Sequence, residues 1–286
     1  MKKVLITGAN GQLAFDLIRI FSDGYEVIKA VHDDFDVADK IATENFIKNC
    51  APDIVINTAA YHKIEECELN PERSFAVNAI GAFNVSKAAA AIGAKIIFFS
   101  TDYVFDGSKE YFIESDTPNP LNVYSSSKLA GENLTKIANE NHYVIRTGWL
   151  FGVHQSGKGY NFVGLMLEKA KNGGVIKVVN DQFGSPTYSY DLAVKIKELI
   201  DKKAPPGIYH MTNGGFCSWY EFAKKIFELG EIKADIAPVS SQEYPSNIKR
   251  PKCSVLKNES LKKQNIEILR PWQEALGAFM LEYNKK

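Results

Sequence analysis

Tyr124 and Lys128 stand four residues apart in the stretch NVYSSSK, a spacing that stacks both side chains on one helical face about one turn apart. A phenol beside an ammonium is a candidate proton-transfer pair, since the lysine charge can act on the phenol. Spacing alone does not select this pair, because Tyr25 with Lys29 and Tyr220 with Lys224 repeat it. Their surroundings set those two apart. Tyr25 and Lys29 lie in the apolar run YEVIKAV, which reads as a strand, where four residues span roughly 13 Å. Ser218 and Glu221 form a capping box ahead of FAKKIFELG, so Tyr220 and Lys224 fall on an ordinary amphipathic helix. Near Tyr124, by contrast, the run FFSTDYVFDG ends in Thr101 and Asp102, and the proline-rich loop ESDTPNPLN returns the chain to the same edge. A hydroxyl and a phenol are thereby brought to one place.

The elements that position these groups follow from hydrophobic periodicity. KVLIT is a short β-branched run that ends in the glycine turn GANG, and the amphipathic stretch QLAFDLIRIF follows directly. The pattern recurs through YEVIKAV, the helix ENFIKNC, the strand DIVINTAA, one long helix opened by Asn70 and Pro71, the strand AKIIFFSTD, a helix from Tyr124 to about Glu140, and YVIRTGWLF. This alternation predicts an α/β fold with a Rossmann-type, doubly wound parallel sheet over residues 1–149. Residues 150–286 read as a smaller, interleaved C-terminal lobe, with helices near 161–172 and 191–202 and two short strands, VIKVV and GIYHM.

Gly8, Gly11 and Ala14 form a GxxGxxA turn after the first strand: Gly8 permits the tight turn, Gly11 lets backbone approach a pyrophosphate, and Ala14 allows close helix packing. Such a site normally has an acid at the end of the second strand to bind the adenosine ribose. Val31 stands there instead, with Lys29, His32, Asp33 and Asp34 around it, and Asp36 and Val37 are expected to contact the adenine. NADH and NADPH both stay open, with a slight lean to NADPH.

Composition narrows the classes. The chain has 286 residues, 45% hydrophobic and 24% charged, enough for a large core in one big domain or two modest ones. Thirty-four basic against thirty-four acidic residues leave no electrostatic footprint for nucleic acid or an anionic membrane. The apolar run after MKK is broken by glycine and asparagine well short of a signal peptide or membrane span, so the expected location is the cytoplasm. Cys50, Cys67, Cys217 and Cys253 lack CxxC spacing, and the five histidines lack HxxxH or HExxH spacing, so no metal is expected.

Taken together, GANGQL at 8–13, INTAAY at 56–61, STDYVFDG at 100–107, PLNVYSSSKLAGE at 120–132, RTGWLFG at 146–152, DQFGSPT at 181–187 and RPKCSVL at 250–256 resemble the extended short-chain dehydrogenase/reductases, most closely the dTDP-4-dehydrorhamnose reductase family. The resemblance covers essentially the whole chain. It implies NAD(P)H-dependent reduction of a dTDP-linked 4-keto-6-deoxy sugar, with residues 1–149 holding the dinucleotide, the second lobe mainly binding substrate, and a homodimer as the assembly. Tyr124 would donate the proton, Lys128 would bind the nicotinamide ribose and lower the tyrosine pKa, and Thr101 would hydrogen-bond the carbonyl. Gly8, Gly11, Gln12, Leu13, Asp36, Val37, Ala60, Tyr61, His62 and Phe99 would contact the dinucleotide. Asp102, Trp149, Asn161, Gln182 and Arg250 would line the sugar-nucleotide pocket.

The sequence departs from that pattern at Ala14, where glycine is usual, at His62, where threonine is common, and at Ser125, where glycine commonly follows the tyrosine. Plainer roles stand beside the chemical ones: Trp149, Phe151 and Tyr61 as core aromatics, Asp102 as a cap, Arg250 in a structural ion pair, Asn161 as a helix start. Two alternatives accompany the main reading, a reductase of another nucleotide-linked 4-keto-6-deoxy sugar and a non-catalytic dinucleotide-binding subunit of the same fold. The intact Thr101, Tyr124 and Lys128 weigh against the second.

Overall fold

The structure is a computed structural model that describes residues 1–154, 159, 161–243 and 248–285. Five strands, β1 (Lys2–Thr7), β2 (Tyr25–Ala30), β3 (Ile54–Asn57), β4 (Lys95–Thr101) and β5 (His142–Thr147), join Gly207–His210 in one six-stranded sheet. All neighbours in it run parallel, and β1 lies between β2 and β3. Strand order therefore reverses at β1, and a crevice opens there beyond the carboxyl ends of the strands.

Both faces of the sheet are covered because inward and outward residues alternate along nearly continuous apolar strands. Val4 and Ile6 face a core built with Leu17 and Phe21 of α1 (Gln12–Phe21) and with Leu192, Ile196 and Leu199 far along the chain. Leu5 points to the opposite face and packs with Ile47 of α2 (Lys40–Cys50) and with Val85 and Ala89. Each fully buried Leu or Ile of this kind contributes roughly 1.5–3 kcal/mol.

The segment read as one helix from Pro71 is three. After α3 (Ile64–Leu69), which the sequence reading did not separate, come α4 (Pro71–Phe75), a π-helical turn over Ala76–Gly81, and α5 (Ala82–Ala91). The π turn packs on α6 (Val123–Ala138) at Gly131, where a side-chain carbon would collide with the Asn78 carbonyl and the Phe98 ring.

A second core gathers Phe151, Met166, Phe222, Trp272 and Phe279. It takes in α7 (Phe162–Asn172) and α9 (Trp219–Leu229), plus the helix Trp272–Tyr283 and the parallel pair Ile176–Val179 with Ile236–Val239. The chain between α7 and α9 crosses back: α8 (Ser189–Asp201) supplies Leu192 and Ile196 to the first core, and Gly207–His210 pairs with β5. The strand GIYHM thus belongs to the main sheet and not to the smaller lobe, because Ile208 and Tyr209 extend the buried apolar ladder alongside Val144 and Ile145.

Candidate active site

Tyr124 and Lys128 owe their positions to the start of α6. Asn122 caps it, accepting from the Ser125 N–H at 2.9 Å, while Ser125 Oγ accepts from the Asn122 N–H at 3.4 Å, a reciprocal capping box. The residue that replaces the family's usual glycine thus serves the cap. Glu68 of α3 also accepts from the Val123 N–H at 2.7 Å. One turn further on, Lys128 is buried, its ammonium 4.2 Å from the centre of the Phe98 ring. Glu132 follows after another turn, fully buried and gripped by Arg146 at 2.7 and 2.9 Å and by Ser100.

Burial pushes Lys128 down to about 7, and the Glu132 charge works against that fall. Tyr124, contrary to the expected lowering by Lys128, is pushed above its ordinary value by burial and then by the Asp102 charge, with a hydrogen bond to Thr101 opposing both. Burial thus sets both shifts, opposed by Glu132 at Lys128 and reinforced by Asp102 at Tyr124.

At the end of β4, Thr101 Oγ1 donates to Asp102 Oδ1 at 3.1 Å and accepts the Tyr103 N–H, closing a short 3₁₀ turn over Asp102–Val104. Ser254 donates to the other Asp102 oxygen at 2.5 Å. Burial raises Asp102 to about 6 despite these bonds. Thr101, Asp102, Tyr124 and Lys128 all line one cavity of about 780 Å³.

That cavity also contains Gly11, Gln12, Leu13, Ala60, His62 and Phe99 from the sheet edge, and Trp149, Asn161, Gln182 and Arg250 from the other lobe. A second cleft of about 320 Å³ holds Gly8, Val31, His32, Asp36, Val37 and Tyr61, and shares Gly11, Thr58, Ala60 and His62 with the first. Every residue that the resemblance assigns to the proton transfer, the dinucleotide or the sugar pocket therefore lines one of two joined clefts. Lys29 and Asp33 do not, and the Asp34 carboxylate accepts the Val31 N–H at 2.8 Å.

Several of these residues have structural duties as well. Asn161 caps α7 through the Gly164 N–H at 3.0 Å and donates to Gln12 Oε1 at 3.1 Å. Arg250 pairs with Glu65 at 2.8 Å. Phe151 is a core aromatic. Trp149 has a left-handed backbone, φ 49°, and its indole stacks on Trp219 with ring centres 3.4 Å apart. Gly184 lies so close that a side-chain carbon there would strike the Trp149 ring.

The joined clefts fit a dinucleotide. Gly8, φ +64°, makes the turn, and a side-chain carbon on it would press on Thr58 and Ala59. Gly11 opens the ten-residue α1 with no side-chain cap, so the helix's first N–H groups face the cavity as an anion site. On the substrate side, Thr147 Oγ1 and Trp149 Nε1 are buried with no hydrogen-bond partner among the described residues, and both residues line the cavity.

Some contributors escaped the sequence reading. Asn78, in the π turn, accepts the Tyr61 N–H at 2.9 Å and donates to the Tyr61 carbonyl at 2.8 Å and to Ser127 of α6 at 3.0 Å, so it ties the second cleft to α6. Lys169 and Lys177 add positive charge to the cavity wall opposite the sheet. Lys169 was within reach of pattern reading, since Phe162, Leu165, Met166 and Lys169 recur at one-face helical spacing and all line the cavity.

The family model described as RmlD substrate binding domain matches residues 1–285. The chain belongs to this family. It is 39% identical over 284 residues to the spore coat polysaccharide biosynthesis protein SpsK of Bacillus subtilis, covering 99% of this chain and 98% of that one. It is 37% identical to the dTDP-4-dehydrorhamnose reductase of Mycolicibacterium smegmatis, over 96% of this chain and 84% of the other. The crystal structure of dTDP-4-dehydrorhamnose reductase from Bacillus anthracis in complex with NADP superposes with a TM-score of 0.94 at 38% identity, covering 99% of this chain and 100% of that one.

Proposed function

We propose that this family member reduces the 4-keto group of dTDP-4-dehydro-β-L-rhamnose to give dTDP-β-L-rhamnose, with NADPH preferred over NADH. The observation that carries the reading is the meeting of Thr101, Tyr124 and Lys128 on one wall of a cavity continuous with a dinucleotide cleft. The relatives' names supply the substrate, and the NADP complex of a 38% identical neighbour supports the cofactor.

The bound dinucleotide supplies the hydride. The chain's own groups handle the charge that forms on the substrate oxygen. Tyr124 gives its phenolic proton to that oxygen, and the Thr101 hydroxyl holds the carbonyl in line. The Tyr124 phenol stays protonated until the oxygen demands its proton, because burial and Asp102 disfavour the phenolate. Lys128, kept chargeable by Glu132, holds the nicotinamide ribose and stabilises the phenolate once it forms. Gln12, Leu13 and the start of α1 hold the pyrophosphate. Asp102, Trp149 and Gln182 orient the sugar, and Arg250 with Lys169 and Lys177 faces the substrate's diphosphate.

No helix among the described residues is long and apolar enough to cross a membrane. We place the enzyme in the cytoplasm, beside its nucleotide-sugar and NADPH supply, and as a homodimer. The test is NADPH consumption by purified protein against dTDP-4-dehydrorhamnose and a panel of other nucleotide-linked 4-keto-6-deoxy sugars. Turnover confined to another member of the panel would replace the substrate, and no turnover with any would leave the non-catalytic alternative.

A further inference from the structure

The second cleft contains an ion pair whose arginine the dinucleotide reading does not use. Arg73 reaches across from α4 and places Nη2 3.0 Å from Asp36 Oδ2. Asp36 is the one carboxylate among the described residues lining this cleft, and His32 and Arg73 line it too. A carboxylate that selects an unphosphorylated ribose needs its oxygens for the two hydroxyls. Those of Asp36 are already engaged, by the Ala38 N–H at 2.9 Å and by Arg73. The usual position for such an acid, after β2, holds Val31, whose N–H is taken by Asp34.

Resting on the NADPH-dependent reading above, we propose that Arg73 is the specificity residue for the adenosine end of the cofactor: its guanidinium, parked on Asp36, turns onto a 2′-phosphate, and His32 completes the anion pocket. The guanidinium presents five donors in a planar fork matched to phosphate, and a dianionic phosphate outcompetes a single carboxylate for it. Arg73 is close to half-exposed, with 45% of its side chain accessible, so it is free to turn. Burial alone would raise the Asp36 carboxyl, yet the Ala38 N–H, Arg73 and His32 hold it below the usual range, consistent with a cationic surround. An unphosphorylated ribose gains nothing from the turn.

The test is calorimetric titration of the full chain, without substrate, using adenosine 2′,5′-bisphosphate and adenosine 5′-monophosphate. Wild type is expected to favour the bisphosphate by ~10-fold or more. Arg73→Met, which keeps the aliphatic stem, should abolish that preference while leaving monophosphate affinity within about two-fold. Arg73→Lys, which keeps charge without the fork, should retain part of it. The ratio of kcat/KM for NADPH to that for NADH should fall in the same order. An unchanged bisphosphate preference in Arg73→Met overturns the assignment, as does a wild type that binds both nucleotides equally. Wild type that binds neither overturns the dinucleotide reading itself.

Discussion

Tyr124 lines the cavity at the start of α6, where the phenol can meet a substrate oxygen while its ring stays packed. Tyr124→Phe keeps that packing and removes the proton, so kcat should fall by roughly 10²–10⁴ while NADPH binding changes little; an unchanged kcat would exclude Tyr124 as the donor. Lys128 yields a prediction about stability. Its value is pushed from 10.5 down to about 7 by burial, so between those limits the unfolded chain carries a proton the folded chain has released, and stability rises with pH. Below about 7 the ammonium is charged in both states, and folding carries the full cost of burying it. Lys128→Met removes that cost. The variant's melting temperature should therefore exceed wild type most at low pH, with the margin shrinking as pH climbs towards 10.5; a margin flat with pH would mean that Lys128 does not titrate in this window. These two residues were legible because Tyr and Lys at helical spacing beside an STD strand end are an unusual conjunction. Glu132 and Asn78 were not, since each looks like an ordinary helix residue until burial and a partner from another element give it a role.

At the scale of elements, the stretch from Pro71 to Gly93 has an unbroken helical pattern, and only contact with α6 reveals the π turn inside it. The turn brings the Asn78 side chain to Tyr61 and Ser127 and sets its carbonyl against Gly131. Hydrophobic periodicity carries the 3.6-residue repeat but not a local widening that tertiary packing imposes. The same limit hid the pairing of Gly207–His210 with β5, because a short apolar run names no neighbour. Gly131→Ala tests the packing. The added carbon meets backbone on one side and the Phe98 ring on the other, so α6 must shift; overpacking of this kind costs roughly 1–3 kcal/mol, or roughly 2–10 °C in melting temperature. Turnover should fall with it, because Tyr124 and Lys128 move with the helix. A melting curve indistinguishable from wild type would show that α6 yields at no cost.

Across the whole molecule, two hydrophobic cores meet at the cavity, and the sequence pattern did not show the return of α8 and Gly207–His210 to the first core. What joins the lobes at the active site is small: Asn161 donates to Gln12 on α1 at 3.1 Å and to the Gly152 carbonyl at 2.8 Å while its own oxygen caps α7. Asn161→Ala removes all three bonds. Loss of the cap alone costs about 1 kcal/mol, so the ligand-free protein should melt a few degrees lower. The kinetic effect should be unequal. Gln12 remains fixed on α1, which is packed into the main core, whereas Phe162, Leu165, Met166 and Lys169 on α7 lose the anchor that aims them at the cavity. The KM for the sugar nucleotide should therefore rise several-fold more than the KM for NADPH, as expected when uniform binding is lost on one side of a site, roughly 1 kcal/mol corresponding to about five-fold. Saturating NADPH should still raise the variant's melting temperature by as much as it raises wild type's, since stabilisation by a ligand follows its affinity for the folded state. If NADPH KM rises as much as the sugar nucleotide's, the bond to Gln12 governs the cofactor site too, and the two lobes act as one binding surface.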